Sequence, residues 1–195
     1  MTSRPRVAVV ALAALVSAGL VAGCSNDIGS SGNQGYVSGR GIITSVAAGD
    51  RKAPGAVEGT TLDGDQVALS DYRDKVVVVN VWGSWCAPCA AEAPMLTQAA
   101  QDLKAKDVEF LGIDSRDTSK ENAQAFVRRF ETPYPSLYDQ GGRTLLAFRG
   151  TLNPNAVPST IVIDKRGRVA GSVLGQISRT TLDDLVDDAL GGGGA

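Results

Sequence analysis

The chain has 195 residues and not one histidine. That absence removes every mechanism built on an imidazole: the Ser-His-Asp triad, the Cys-His protease pair, histidine metal sites and histidine proton shuttles. Acid–base work must fall to carboxylates, lysines, tyrosines or thiols. Cysteine is scarce, with three residues at Cys24, Cys86 and Cys89. Excess positive charge is missing as well: Lys and Arg number 19 against 21 Asp and Glu, for a net charge of −2. A nucleic-acid binder carries a basic surface, so no nucleic-acid partner is expected. There is no internal repeat. The length suits about one domain, large enough to bury a core without a disulfide staple.

Long apolar runs are few, and the first opens the chain. Arg4 and Arg6 precede a mostly apolar stretch from Val7 to Val21. This is the layout of a secretory signal peptide and is short for a spanning helix. Leu20-Val21-Ala22-Gly23-Cys24 resembles the lipobox of bacterial lipoproteins, where cleavage precedes the cysteine and its sulfur takes a diacylglyceryl group. That resemblance implies a signal peptide over 1–23, lipidation at Cys24, and attachment to the extracytoplasmic face of the cell membrane. The alternatives are an ordinary signal peptide, or a membrane anchor with an incidental cysteine. Residues 24–52 are rich in Gly, Ser and small polar residues, so they read as a flexible tether, with Ile42-Ile43-Thr44 as a weak strand candidate. The folded domain is expected over 53–190, followed by a frayed glycine tail over 191–195.

Within the domain, Thr60-Thr61-Leu62, Asp63-Gly64 and Gln66 to Leu69 predict a β-hairpin. Lys75 to Trp82 is almost continuously apolar and β-branched, the pattern of a strand buried on both faces of a sheet. Cys86 to Lys104 has helical periodicity. Strands are predicted at Val108–Ile113, Ser159–Ile163 and Val169–Leu174, the last two as an antiparallel hairpin. Helices are predicted at Ser119–Phe130, Gly142–Phe148 and Ser178–Leu190. Alternating strands and helices predict an α/β fold, and the closing hairpin makes its central sheet mixed.

Trp85-Cys86-Ala87-Pro88-Cys89 ends the apolar strand and opens a helix. Zinc would require two further ligands, which a chain without histidine or another free cysteine does not supply, so no metal is expected. A purely structural disulfide across so small a loop would stabilise little. Redox chemistry fits the position better. A cysteine at a helix N-terminus meets unpaired backbone N–H groups and the positive end of the macrodipole, which favour the nucleophilic thiolate. Cys86, at the helix edge, should be exposed and attack a partner disulfide. Cys89, one turn in, should resolve the mixed disulfide. Pro88 suits the first turn because its missing N–H has no helical partner there. Trp85 is expected at the active-site surface, and Trp82 in the core.

These residues resemble the thioredoxin superfamily, most closely its extracytoplasmic TlpA, ResA and DsbE-like branch. The matching stretches are Lys75 to Cys89, Ala53-Pro54 with the hairpin through Tyr72, and Val157-Pro158-Ser159-Thr160. The resemblance implies a thioredoxin-like fold with an N-terminal β-hairpin extension. It implies a cis bond before Pro158, facing the cysteines, with the Val157 backbone presented to a substrate strand. Trp85, Val157 and Pro158 are then the substrate-binding residues, and Ala87 and Pro88 form the active-site turn. Cytoplasmic thioredoxins place a buried aspartate on the strand before the cysteines; here that position is Asn80. Relatives of the ResA kind carry a glutamate three residues beyond the second cysteine, and Glu92 stands there. Glu92 is the candidate group to take the proton of Cys89, with the alternative that it is a solvated first-turn residue complementing the helix dipole.

The function these readings predict is thiol–disulfide exchange at Cys86 and Cys89, with Glu92 as third catalytic residue and no bound cofactor. Substrates would be disulfide-containing exported proteins such as apocytochrome c, with a membrane thiol carrier as electron donor. A monomer is expected. A disulfide-forming oxidase would use the same residues. A thiol peroxidase would need a Pro-x-x-x-Thr-x-x-Cys setting, which is missing. A copper-binding lipoprotein of this fold would need CxxxC and a histidine, also missing.

Overall fold

The computed structural model describes residues 34–38, 41–153 and 155–191. The leader over 1–23, Cys24 and residues 192–195 lie outside the described residues.

A seven-stranded sheet forms the body, in the order β1 (Gln34–Ser38), β2 (Gly41–Ser45), β9 (Val169–Leu174), β8 (Ser159–Ile163), β5 (Val76–Trp82), β6 (Val108–Ser115), β7 (Ser136–Asp139). Strands β5, β6 and β7 run parallel, whereas β8, β9, β2 and β1 pair antiparallel. The sheet is mixed, as expected. All seven residues of β5 are buried, which explains why it reads as one unbroken apolar run. Its even-numbered side chains, Val76 and Val78, pack under α1 (Ala87–Leu103) and α3 (Arg179–Leu190) through Leu96, Leu103, Leu182 and Val186. Its odd-numbered side chains, Val77, Val79 and Val81, face the opposite core with Leu145, Phe148 and Ile161. The third helix, α2 (Lys120–Phe130), covers Trp82, whose ring stacks on Phe126 at 4.5 Å.

The expected hairpin is present as β3 (Glu58–Thr60) and β4 (Gln66–Ala68), a two-stranded sheet of its own. Gly64 in its turn has φ +103°, a conformation that glycine adopts without strain.

The structure corrects the tether boundary at residue 52. Residues 41–52 belong to the fold: β2 covers the edge of β9, with Ile42 opposite Leu174 and Thr44 opposite Ser172. Arg51 is buried, bonds Asp188 at 2.7 Å and the Val46 carbonyl at 3.0 Å, and lies 3.5 Å from Asp164. The small polar composition concealed this because the segment is held by backbone pairing and one buried cation, neither of which needs an apolar stripe. The short strand β7 also escaped the sequence reading: its four residues hold only one aliphatic side chain. Residues Thr144–Phe148 form a 3-10 helix, shorter than the predicted Gly142–Phe148 helix.

Candidate active site

Strand β5 ends at Trp82, and the turn Gly83-Ser84-Trp85 delivers Cys86 to the N-cap of α1. Cys86 and Cys89 form a disulfide with Cα atoms 5.3 Å apart. The Cys86 Sγ accepts a hydrogen bond from the Cys89 N–H at 3.2 Å. In the reduced protein that donor and the helix dipole favour a thiolate on Cys86. Pro88 lies in the first turn of α1, while Pro94 lies within the helix, where it offers no N–H to the Ala90 carbonyl.

Cys86 is not exposed, contrary to expectation: its relative exposure is 4%, and that of Cys89 is 1%. In the disulfide its sulfur is tied inward and packed in a cluster with Leu62, Trp82 and Ala123, against which Tyr138 and Val157 rest. What the site presents to solvent is Trp85, 54% exposed, with Ala87 and Pro88 beside it. The Trp85 indole N–H donates to the Ser115 carbonyl at 3.2 Å and lies across Gly83. A Cβ on Gly83 would sit 2.5 Å from the indole nitrogen, so any side chain there would push the Trp85 ring from its place. An open hollow of about 690 Å³ beside Trp85 is walled by Ser84, Arg116, Asp117, Asn122 and Phe126. Another hollow, of about 580 Å³, lies by Lys75 at the opposite end of β5, away from the disulfide.

The Val157–Pro158 bond is cis. Pro158 is buried and Val157 half-buried, packed against the disulfide cluster. Among the described residues the Val157 N–H and carbonyl have no hydrogen-bond partner.

Glu92 is buried, at 2% exposure, on the same side of α1 as Cys89. The solvated alternative for Glu92 is therefore ruled out. Its Oε1 accepts from Asn80 Nδ2 at 3.1 Å and its Oε2 from the Ile177 N–H at 3.1 Å. Burial pushes the carboxyl up to about 7, and these two hydrogen bonds keep it from rising further. Asn80, on β5, thus occupies the thioredoxin aspartate position as a donor to Glu92. Tyr134 lies nearby, its hydroxyl raised by burial and by the Glu92 charge. A cavity of about 10 Å³ beneath Cys89 touches Asn80, Thr132 and Tyr134.

Two site residues were missed in sequence: Asp114, at the end of β6, and Asp117 just beyond it. Asp117 grips the active-site turn, accepting from the Ser84 N–H at 2.7 Å and the Ser84 hydroxyl at 2.6 Å. The available signal was polar Asp114-Ser115-Arg116-Asp117 closing an apolar strand that runs parallel to the one carrying the cysteines.

Residues 50–172 match the AhpC/TSA family. The thiol-disulfide oxidoreductase ResA of Bacillus cereus is 30% identical over 133 residues, which cover 68% of this chain and 73% of ResA. The solved structure of a DsbF homologue from Corynebacterium diphtheriae superposes with a TM-score of 0.72 at 35% identity, covering 80% of this chain and 99% of that one. A secreted thiol-disulfide isomerase from Corynebacterium glutamicum gives 0.71 at 33% identity, covering 83% and 98%. With a thioredoxin-like fold and a disulfide at the N-cap of α1, the chain belongs to the AhpC/TSA family, as a thiol–disulfide oxidoreductase of the ResA and DsbE type.

Proposed function

We propose that this protein is a lipid-anchored, extracytoplasmic oxidoreductase that reduces disulfides of exported proteins, apocytochrome c among the candidates, through Cys86 and Cys89. The observation that carries the assignment of roles is the N-cap geometry: the Cys86 sulfur alone accepts the Cys89 N–H. The Cys86 thiolate attacks one sulfur of the substrate disulfide, and the other sulfur leaves as a thiolate. Cys89 then gives up its proton and attacks the Cys86 sulfur, releasing the substrate's second thiolate and closing the Cys86–Cys89 disulfide. Two electrons and two protons from a membrane thiol carrier restore the dithiol.

Glu92 receives the Cys89 proton. It shares a helix face with Cys89, and a carboxyl near 7 is matched to that task at neutral pH. The Val157 N–H and carbonyl, unpaired among the described residues, suit an extended substrate segment added alongside them, with Trp85 as an apolar contact. Ala-Pro between the cysteines adds no positive charge to hold a thiolate further, which favours a reducing potential. A disulfide-rearranging role has one observation in its favour, the likeness to the isomerase from Corynebacterium glutamicum.

Trapping tests the reading. Cys89→Ser in the full chain should hold a partner on Cys86 as a reductant-sensitive mixed disulfide, whose identity also reports the direction. If nothing is trapped, or Cys86→Ser traps as well, the assignment fails. Anchoring is tested apart from this: labelled palmitate should enter the wild-type chain and not Cys24→Ser, and equal labelling removes the anchor at Cys24.

A further inference from the structure

The group at this site with the least support around it is Asp114. It has 0% exposure at the end of β6, level with Trp82 on one side and Tyr138 on the other. Neither carboxyl oxygen meets a donor, and none of the ion pairs among the described residues includes it. The group within hydrogen-bonding reach is another carboxyl, that of Asp117. Two carboxyls bond only when one of them carries a proton.

We propose that Asp114 is a positioning residue of the redox site: as a neutral acid it donates to Asp117, which in turn fixes Ser84 and the turn carrying Trp85 and Cys86. Asp117 has room for all three donors. A carboxylate has about four acceptor sites, and Ser84 uses one on each oxygen. The same end of β6 holds the turn at a second point, where the Trp85 indole bonds the Ser115 carbonyl. Within the turn, the Cys86 N–H closes on the Gly83 carbonyl at 3.1 Å. The nucleophile is therefore placed by the last residues of β6 as much as by its own helix.

The surroundings keep Asp114 neutral. The ionisable groups facing it are Asp117 beyond its own strand and Asp139 and Tyr138 on β7, with Glu121 of α2 beside Tyr138. The cation nearest in sequence, Arg116, donates to Asn155 Oδ1 at 2.8 Å. Burial first, then Asp117 and Asp139, raise the Asp114 carboxyl to about 9. An unpaired buried charge is expensive, so the group keeps its proton instead. Loss of that proton would set two carboxylates against each other beneath the turn. This role concerns how Cys86 is held, and so applies whichever direction the exchange runs.

The test uses the disulfide form, in which no thiol titrates. In carbon-detected NMR of protein labelled at the aspartate carboxyl, the resonance missing from Asp114→Asn should stay protonated through pH 7.5 and shift near pH 9. A resonance that titrates near pH 4 overturns the proposal. The reduced protein gives the functional readout. Asparagine also donates to Asp117 but does not titrate, so Asp114→Asn should exchange disulfides within about twofold of wild type. Asp114→Ala removes the donor and should be slower by up to about a hundredfold, the scale of a displaced reacting group. An Asn variant as slow as the Ala variant, or an Ala variant as fast as wild type, overturns the role. Should the Ala variant fail to fold, the carboxyl titration and the Asn rate still decide.

Discussion

Cys86→Ser should lose disulfide-exchange activity by about a thousandfold or more, because the attacking thiolate is gone and a serine hydroxyl stays protonated at neutral pH. Serine is the informative replacement. Its oxygen can still accept the Cys89 N–H that now bonds the sulfur, so the start of α1 keeps its cap. The fold and its unfolding midpoint should stay close to those of the reduced wild type, which separates lost chemistry from lost structure. Cys89→Ser behaves differently. Its first half-reaction should proceed near the wild-type rate and then stall at the mixed disulfide, giving a burst without turnover. Reduction of a model protein disulfide, followed both in single turnover and at steady state, checks both variants. A burst from Cys86→Ser, or steady turnover by Cys89→Ser, would reverse or remove the assigned roles.

The burial of Cys86 makes this asymmetry sharper. With 4% exposure in the disulfide, the Cys86 sulfur is not offered to bulk solvent, and Trp85 is the exposed part of the site. On the proposed reading, a partner docks against Trp85 and the Val157 segment before its sulfur comes into line.

Much of this was legible in the residues because the features involved are local and strongly patterned. The run Val76 to Trp82 declares a doubly buried strand, the CxxC after it declares a helix start, and Ser178 before a periodic stretch declares another. What escaped depends on contacts distant in sequence. Arg51 is held by Asp188 and Asp164, and β2 by the edge of β9, so near residue 45 the sequence carries only the weak strand signal of Ile42-Ile43-Thr44 and nothing that marks the segment as docked on the domain. The grip of Asp117 on Ser84 spans 33 residues. The exposure of Cys86 was misjudged because its helix position is local information, whereas the cover over it comes from Leu62, Tyr138 and Val157. Glu92 lies between these cases: its spacing from Cys89 marked it, but its burial against Ile177 required the fold.

Glu92→Gln should flatten the pH dependence of stability in the disulfide form. The wild-type carboxyl sits at about 7 in the folded protein against 4.5 for an ordinary glutamate, first because of burial. The folded state thus holds this proton more tightly than the unfolded state. The contribution is fully present below about pH 4.5 and is lost as pH rises through 7. A displacement of that size corresponds to about 3 kcal/mol. Glutamine does not titrate, so the variant lacks this slope. It has a cost of its own, because its one amide oxygen cannot replace both carboxyl oxygens for Asn80 and Ile177, and a buried donor without a partner costs about 1–3 kcal/mol. Wild type should therefore be the more stable protein at pH 4.5, and the variant should match or exceed it at pH 8. Urea unfolding at the two pH values reads the difference with no thiol ionisation to interfere, and parallel curves would show that Glu92 titrates normally. The same substitution in the reduced protein should slow the resolving step by about a hundredfold, the usual worth of a placed general base. Unchanged exchange rates would leave Glu92 a structural residue only. Together the two measurements separate a carboxyl that merely tolerates burial from one whose burial sets it to take the Cys89 proton at neutral pH.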